Sequence, residues 1–215
     1  MRSTSLNRLK RLEEHLSTRG RVNITFDDMS FVVHGEQENK YIPTNTGQRF
    51  HKNDDLVRLL IGPYGSGKSS ACCAEIVRRS CEMSPWLNGV RRSKWAIIRN
   101  TSGELESTTL PTWLSWFGEL GSISKRKKPI LTLEHQFNDG HGMVEIELLF
   151  MALDKESDLG KLRSLELTAC YLNEVSEIPE GALTHLKGRI NRYPSTRHSD
   201  SYWNGIIADT NLPGS

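Results

Sequence analysis

The strongest chemical signal in the chain is an eight-residue segment, positions 62–69, that reads Gly-Pro-Tyr-Gly-Ser-Gly-Lys-Ser. It matches the phosphate-binding pattern G-x-x-x-x-G-K-[ST] at every fixed position, and it stands between an apolar stretch and a segment of helical composition. Glycines let such a loop curl until several backbone N–H groups point at phosphate oxygens, and the helix that follows directs its positive end at the same anion. The segment therefore predicts a nucleotide-binding site.

Two side chains of this loop have separate chemical roles. Lys68 supplies a positive charge for the β- and γ-phosphates, and the hydroxyl of Ser69 is placed to ligate Mg²⁺. ATP and Mg²⁺ are therefore the expected cofactors. The nucleotide-binding residues predicted from the loop are Gly62, Pro63, Tyr64, Gly65, Ser66, Gly67, Lys68, Ser69 and Ser70.

A carboxylate at the end of a predicted strand is the second chemical element. Residues 165–172 are mostly apolar and lead into Asn173 and Glu174. Ligands collect at the carboxyl ends of parallel strands, so Glu174 should lie beside the phosphates, where it can orient and deprotonate an attacking water. This favours a hydrolytic motor over a small-molecule kinase. Asn173 stands where such motors usually carry aspartate; it can accept a hydrogen bond from a metal-bound water but brings no charge.

The elements that must position these groups alternate between strands and helices. Predicted strands cover 56–62, 94–100, 165–174 and 202–210, and predicted helices cover 68–81, 102–119 (interrupted by Pro111) and 180–190. Segments 132–137 and 143–153 flank Asn138-Asp139-Gly140, which predicts a hairpin. We therefore expect an α/β P-loop NTPase fold of the additional-strand, catalytic-glutamate (ASCE) type. It has a central, mostly parallel β-sheet flanked by helices and an antiparallel edge hairpin.

Composition limits the remaining classes. The chain has 215 residues, 36% of them hydrophobic and 25% charged, which suits one globular domain. No apolar run is close to the length of a membrane-spanning helix, which needs about 20 residues. Four cysteines show no metal-ligand spacing. We expect an ATPase core over 56–215 and an N-terminal extension over 1–55, packed on that core, with an amphipathic helix that carries Leu6, Leu9, Leu12 and Leu16.

Several blocks in this order resemble the ATPase domain of the large terminase subunit of tailed bacteriophages. They are IIRNTSGEL (97–105), FMALDKESDLGKLRSLELTACYLNEV (150–175), GRINRYP (188–194) and IIADTNLP (206–213). The resemblance covers about residues 56–213. It implies an ATP-driven motor, active as a homo-oligomeric ring, that moves double-stranded DNA into a preformed capsid. The family's nuclease domain would begin where this chain stops, so we expect no nuclease activity here.

The resemblance also implies roles for individual residues. Arg163 matches an arginine that reaches into a neighbouring subunit's ATP site and would join Lys68 and Glu174 in catalysis. Arg99, at the end of a strand, either senses the γ-phosphate within its own subunit or pairs with a carboxylate. Thr210 and Asn211 match the family's coupling motif, in which short polar side chains report hydrolysis to the rest of the domain.

Two further residues near these blocks have open roles. Gln48 lies upstream of the phosphate loop, where it either reads the edge of the adenine base or belongs to a polar turn. Asp209 precedes the coupling pair, and the sequence assigns no role to its carboxylate. Trp113 and Trp116 are expected in the core rather than in base stacking.

Partners follow from the resemblance and from charge. A packaging motor must grip any base pair, so contact with DNA should be electrostatic and independent of sequence. Candidate clusters, each also open to interpretation as solvated surface, are Arg91-Arg92-Lys94, Lys125-Arg126-Lys127-Lys128 and Lys187-Arg189-Arg192 with Arg197. The resemblance adds the portal protein and the small terminase subunit as partners, and it places the chain in the host-cell cytoplasm, outside the mature virion.

Two alternatives remain at the level of sequence. Instead of a terminase motor, the chain could be another P-loop ATPase, with a helicase- or recombinase-like core, or a nucleotide-dependent binding switch. A helicase would need a second RecA-like half, for which the chain has no room. Asn173 in place of aspartate favours the switch slightly.

Overall fold

One extended sheet organises the computed structural model, which describes residues 23–35, 38–86, 88–120, 130–134, 142–194 and 202–212. Over these residues the strand order is β3-β2-β1-β6-β7-β5-β8-β9-β4. The strands are β1 (Asn23–Asp27), β2 (Ser30–His34), β3 (Glu38–Tyr41), β4 (Val57–Gly62), β5 (Val90–Arg99), β6 (Ile130–Glu134), β7 (Met143–Ala152), β8 (Ala169–Leu172) and β9 (Ile206–Asn211).

The half of the sheet that positions the chemistry is parallel. Strands β7, β5, β8, β9 and β4, in that order across the sheet, pair with one another in parallel, so that β9 lies between β4 and β8. The register places Gly62 opposite Asn211 and Leu172 opposite Ala208. The carboxyl ends of the strand before the phosphate loop, the strand before Glu174 and the last strand therefore meet at one edge. This arrangement confirms the predicted α/β fold with an additional strand between the two motifs.

The helices cover the sheet, and most lie where the sequence predicts them. They are α1 (Asn45–Lys52), α2 (Lys68–Cys81), α3 (Ser102–Glu104), α4 (Leu110–Phe117) and α5 (Gly181–Lys187). A π-helical turn over Leu105–Thr109 separates α3 from α4. Pro111 lies in the first turn of α4, directly after this π-helical turn. Short 3₁₀ turns cover Gly118–Leu120, Glu156–Leu162 and Val175–Glu177.

Helix α1 was not predicted, and the polar turn considered for residues 46–48 is wrong, because these residues are helical. The Thr44 side chain caps this helix by accepting the N–H of Gly47 at 3.2 Å. Periodicity did not reveal the helix because its buried face combines apolar Phe50 with polar His51. Strand β8 is also shorter than predicted, beginning at Ala169.

Apolar residues fill both faces of β5, in the middle of the parallel strands, whereas Val57, Leu59 and Ile61 leave one face of β4 exposed. Trp95 and Ile97 of β5 join a cluster with Trp113 and Phe117, whereas the alternate residues of β5 join a second cluster beneath α5. Burial on both faces is typical of parallel strands covered by helices. Trp113 is fully buried, as expected of a core residue.

The predicted hairpin is formed by β6 and β7, which pair antiparallel from Ile130↔Glu147 to Glu134↔Met143. Beyond it, β1 meets β6 at the single pair Asn23↔Glu134, so the antiparallel strands β1–β3 continue the sheet. The turn at 138–140 and the leucine stripe of residues 6–16 lie outside the described residues. None of the helices described is long and apolar enough to cross a membrane.

Candidate nucleotide-binding and hydrolysis site

The phosphate loop runs from the end of β4 at Gly62 to the start of α2 at Lys68. Gly65 and Gly67 adopt left-handed backbone angles, with φ of 70° and 78°. A side chain disfavours this conformation, and Gly67 caps α2 directly, so both glycines are required by the curvature of the loop. The N-terminus of α2 consequently opens toward the space where phosphate would bind.

We predict that Gly67→Ala lowers the free energy of unfolding by about 1–2 kcal/mol, because an alanine pays the left-handed penalty at this position. Urea denaturation measures the change. Gly103→Ala is the matched control, since Gly103 lies in α3 with open space around its Cα, where alanine is neutral or stabilising. Equal effects of the two substitutions would contradict the requirement for a left-handed glycine.

Lys68 is held by three acceptors. Its Nζ donates to the carbonyls of Gly62 at 3.0 Å and Pro63 at 2.8 Å, and to Oδ1 of Asn211 at 3.0 Å. These bonds use all three N–H groups of the ammonium. An incoming phosphate oxygen must therefore replace one of these acceptors, and the contact with Asn211 links the loop lysine to the last strand.

Glu174 follows β8 in a left-handed conformation, with φ of 53°. Its carboxylate is held by one residue: Oε1 accepts the side-chain amide of Asn211 at 2.7 Å, and Oε2 accepts the backbone N–H of Asn211 at 3.0 Å. A non-glycine residue in this region of φ is uncommon, and such strain concentrates at functional sites. The predicted base and the predicted coupling residue are thus in direct contact.

Asp209 is the polar residue that the sequence left without a role, and it lies at the centre of the site. It is fully buried on β9. Its Oδ1 accepts the Asn173 side-chain amide and the Glu174 N–H, each at 2.9 Å, and its Oδ2 accepts the hydroxyls of Ser69 at 2.7 Å and Tyr171 at 3.0 Å. Burial, together with the charge of Asp209, raises the pKa of Tyr171 well above its usual value, so this hydroxyl stays protonated and donates.

Asn173 is engaged on both sides of its amide. Its Oδ1 accepts the Thr109 hydroxyl at 2.6 Å, and its Nδ2 donates to Asp209 and, at 3.4 Å, to Ser69. The carbonyl expected to accept a metal-bound water is therefore used by Thr109, and the group that faces Ser69 is an amide donor.

A cavity of about 280 Å³ brings most of the predicted residues together. Its lining comprises Tyr64, Gly65, Ser66, Gly67, Lys68, Ser69, Ser70, Thr112, Glu174 and Asn211. Thr112, in the first turn of α4, was not anticipated, because no motif marks it. Trp116 on the same helix donates its indole N–H to the Ser70 hydroxyl at 3.1 Å, so α4 packs directly against the start of α2.

Seven predicted residues do not line this cavity: Gly62, Pro63 and Asn173, which adjoin lining residues in the chain, and four more. Arg99 is buried and pairs with Glu177 at 3.1 Å and Glu104 at 3.5 Å, the carboxylate alternative considered for it. Gln48 on α1 and Arg163, directly after the 3₁₀ turn 156–162, are both exposed. Thr210 is buried, and its hydroxyl lies 2.8 Å from that of Ser176.

The basic clusters differ in their availability to DNA. Arg91 is buried, Arg92 lies 3.8 Å from Glu145, and Lys94 pairs with Glu147 at 3.2 Å. This first cluster is therefore engaged within the chain. Residues 125–128 and 197 lie outside the described residues, whereas Lys187 and Arg192 are exposed and Arg189 is half-buried after α5.

The far end of α2 is anchored by a buried ionic network centred on Glu75. Arg58, Arg78 and Arg79 each lie within 2.9 Å of its carboxylate, and His51 of α1 lies 2.6 Å away. Burial by itself would raise the pKa of Glu75. The hydrogen bonds from His51 and Arg78 and the charges of Arg78 and Arg58 outweigh burial, and they hold the pKa well below its usual value.

Comparison with known proteins finds no matching family model and no matching characterised sequence. Solved structures do match. The large terminase of a thermophilic bacteriophage aligns at 9% identity with a TM-score of 0.58, over 79% of this chain and 39% of that chain. The same terminase in complex with ADP aligns at 10% identity with a TM-score of 0.54, over 74% of this chain and 34% of that chain. The large terminase ATPase domain of Thermus phage P74-26 aligns at 17% identity and 0.50, over 78% and 65%. The chain thus shares the fold of large terminases while spanning about two fifths of the first of these proteins.

Proposed function

We propose that this chain is the ATP-hydrolysing motor domain of a viral large terminase, which translocates double-stranded DNA into a preformed capsid. The observation that carries the proposal is the contact chain from Lys68 through Asn211 to Glu174, which joins the phosphate-binding lysine to a carboxylate across one cavity. The likeness of fold to large terminases supports it, and one of those proteins was solved with ADP.

The residues present fit a magnesium nucleotide. The curled loop and the N-terminus of α2 offer N–H donors to phosphate oxygens, and Lys68 offers its charge. Hard oxygen ligands of the kind that Mg²⁺ prefers come from the Ser69 hydroxyl, beside the Asp209 carboxylate. When bound, the ion neutralises charge on the β- and γ-phosphate oxygens.

Glu174 then acts as the base in hydrolysis. Water attacks the γ-phosphorus as its bond to the β–γ bridging oxygen breaks, and the Glu174 carboxylate takes the proton that the water loses. Asn211 bonds to both carboxylate oxygens, so it fixes the position of Glu174, and a movement of Asn211 would reposition the base. Lys68 donates to the same amide, so its transfer to an incoming phosphate loosens Asn211 and couples nucleotide binding to the base.

The site is completed by a neighbouring subunit in a ring. Arg99 is already paired with two carboxylates, whereas Arg163 is exposed and able to reach a second copy. A guanidinium supplied in this way stabilises charge on the γ-phosphoryl oxygens. The proposal extends to non-specific DNA contact through exposed Lys187 and Arg192, to the portal protein and small terminase subunit as partners, and to the host-cell cytoplasm as the location.

We expect ATP turnover per molecule to rise with protein concentration, because a second copy supplies Arg163. Arg163→Ala should lower turnover about 10³- to 10⁵-fold, the usual contribution of such an arginine. Mixing the Arg163→Ala chain with a Lys68→Ala chain should restore activity, since one keeps an intact phosphate site and the other an intact arginine. Steady-state phosphate release measures all three.

Arg49→Ala serves as the control, because Arg49 is an exposed arginine on α1. It should follow the wild-type concentration dependence. A substantial turnover that is independent of concentration and insensitive to Arg163→Ala would mean that one chain completes the site, which would overturn the ring mechanism.

A further inference from the structure

Asp209 carries a buried charge for which no described residue supplies an opposite charge. Its side chain is fully buried, and its four hydrogen-bond donors are neutral: three side chains and the N–H of Glu174. Every ion pair found in the described part of the chain involves other carboxylates. Buried carboxylates in proteins are paired with cations or coordinate metals. The surroundings of Asp209 therefore call for a cation from outside the chain.

Ser69 shows where that cation would lie. Its hydroxyl donates its single proton to Oδ2 of Asp209 at 2.7 Å and accepts from the Asn173 amide at 3.4 Å, which leaves one oxygen lone pair for a metal ion. Ser69 also lines the cavity, whereas Asp209 is not part of the lining. A carboxylate behind a ligating hydroxyl orients that hydroxyl and adds a negative charge close to the ion.

Asn173, directly after β8, brings no negative charge to this task. The carbonyl of Asn173 accepts from Thr109, and its amide nitrogen donates to Asp209. Asn173 thus presents donors rather than acceptors toward Ser69. The strand register explains why Asp209 is the available carboxylate. Strand β9 pairs with both β4 and β8, so the carboxyl end of β9 lies between the phosphate loop and Glu174.

We propose that Asp209, on the last strand, is the positioning carboxylate of the magnesium site, in place of an acid at residue 173. It orients the Ser69 hydroxyl and attracts the ion's water shell. Through its bond to the Glu174 N–H it also ties the base to the metal side of the site. The proposal rests on the proposed function only in requiring that the chain bind a magnesium nucleotide.

Fluorescent ADP, titrated in EDTA and in increasing Mg²⁺, tests the proposal without hydrolysis. In Asp209→Asn we expect metal-free affinity to stay within about threefold of wild type, and the gain in affinity from Mg²⁺ to fall about 10- to 100-fold. Tyr171→Phe removes one hydrogen bond to the same carboxylate and keeps its charge, so it should retain the Mg²⁺ gain. The double variant Asp209→Asn/Asn173→Asp returns a carboxylate to the site and should recover part of it.

Two results with Asp209→Asn would overturn the proposal: an unchanged Mg²⁺ gain, or an equal loss of affinity with and without metal. If Asp209→Asn does not fold, the wild-type chain with ¹³C-labelled aspartate carboxyls and Mn²⁺-ADP decides the matter. A ¹³C hyperfine coupling to the ion is expected, and its absence would refute the assignment. Wild-type protein that binds no ADP would instead refute nucleotide binding, and with it the proposed function.

Discussion

Replacing Glu174 with glutamine is expected to lower the rate of ATP hydrolysis about 10²- to 10⁴-fold, the usual contribution of a positioned general base. Glutamine has nearly the same shape and keeps one of the two oxygens that accept from Asn211, but it does not accept a proton from water. Affinity for ADP should therefore stay within a few-fold of wild type. Single-turnover hydrolysis and equilibrium ADP binding, measured on the same preparation, separate the two effects.

Glu166→Gln is the matched control, since Glu166 is an exposed carboxylate on the segment that leads into β8. It should hydrolyse ATP at the wild-type rate. Unchanged turnover in Glu174→Gln would remove this residue as the base and favour a nucleotide-dependent binding switch. Loss of ADP binding together with turnover would assign Glu174 a structural role through its contact with Asn211.

Replacing Glu75 with glutamine is expected to lower the free energy of unfolding by about 3–5 kcal/mol, because a buried charge network loses its central anion. Arg58, Arg78 and Arg79 would remain buried without that countercharge. Denaturation in urea measures the loss. Glu82→Gln is the control: Glu82 pairs with two of the same arginines, but its side chain is 45% exposed, so the loss should be about 1 kcal/mol or less.

The same network predicts a pH dependence of stability. Because the folded-state pKa of Glu75 lies below its unfolded value, its contribution is fully present above about pH 4.5 and is lost as the pH falls below that. Over this acidic range the free energy of unfolding should fall with decreasing pH more steeply in the wild-type protein than in Glu75→Gln. The difference between the two slopes should reach up to about 1.4 kcal/mol per pH unit. Parallel pH profiles of the two proteins would contradict an ionised Glu75 in the folded state.

The features of this protein that the sequence by itself determined are those set by neighbouring residues along the chain. The phosphate loop is one, because left-handed glycines and the helix that begins at Lys68 are local properties. Alternating apolar strands and helices are another, and they placed Glu174 and Asn211 at the same edge of the sheet. The structure brings these two side chains into contact.

Tertiary structure alone decided which polar groups are buried together. Asp209 and Ser69 are 140 positions apart, and only the pairing of β9 with β4 brings them to 2.7 Å. From the sequence, Arg99 had two possible partners, a phosphate or a carboxylate. The structure shows that Glu104 and Glu177 are its partners. Local pattern reports hydrophobic period and turn chemistry, whereas a buried charge is stabilised by partners from distant segments. The neighbours that assign Asp209 its role therefore exist only in the folded chain.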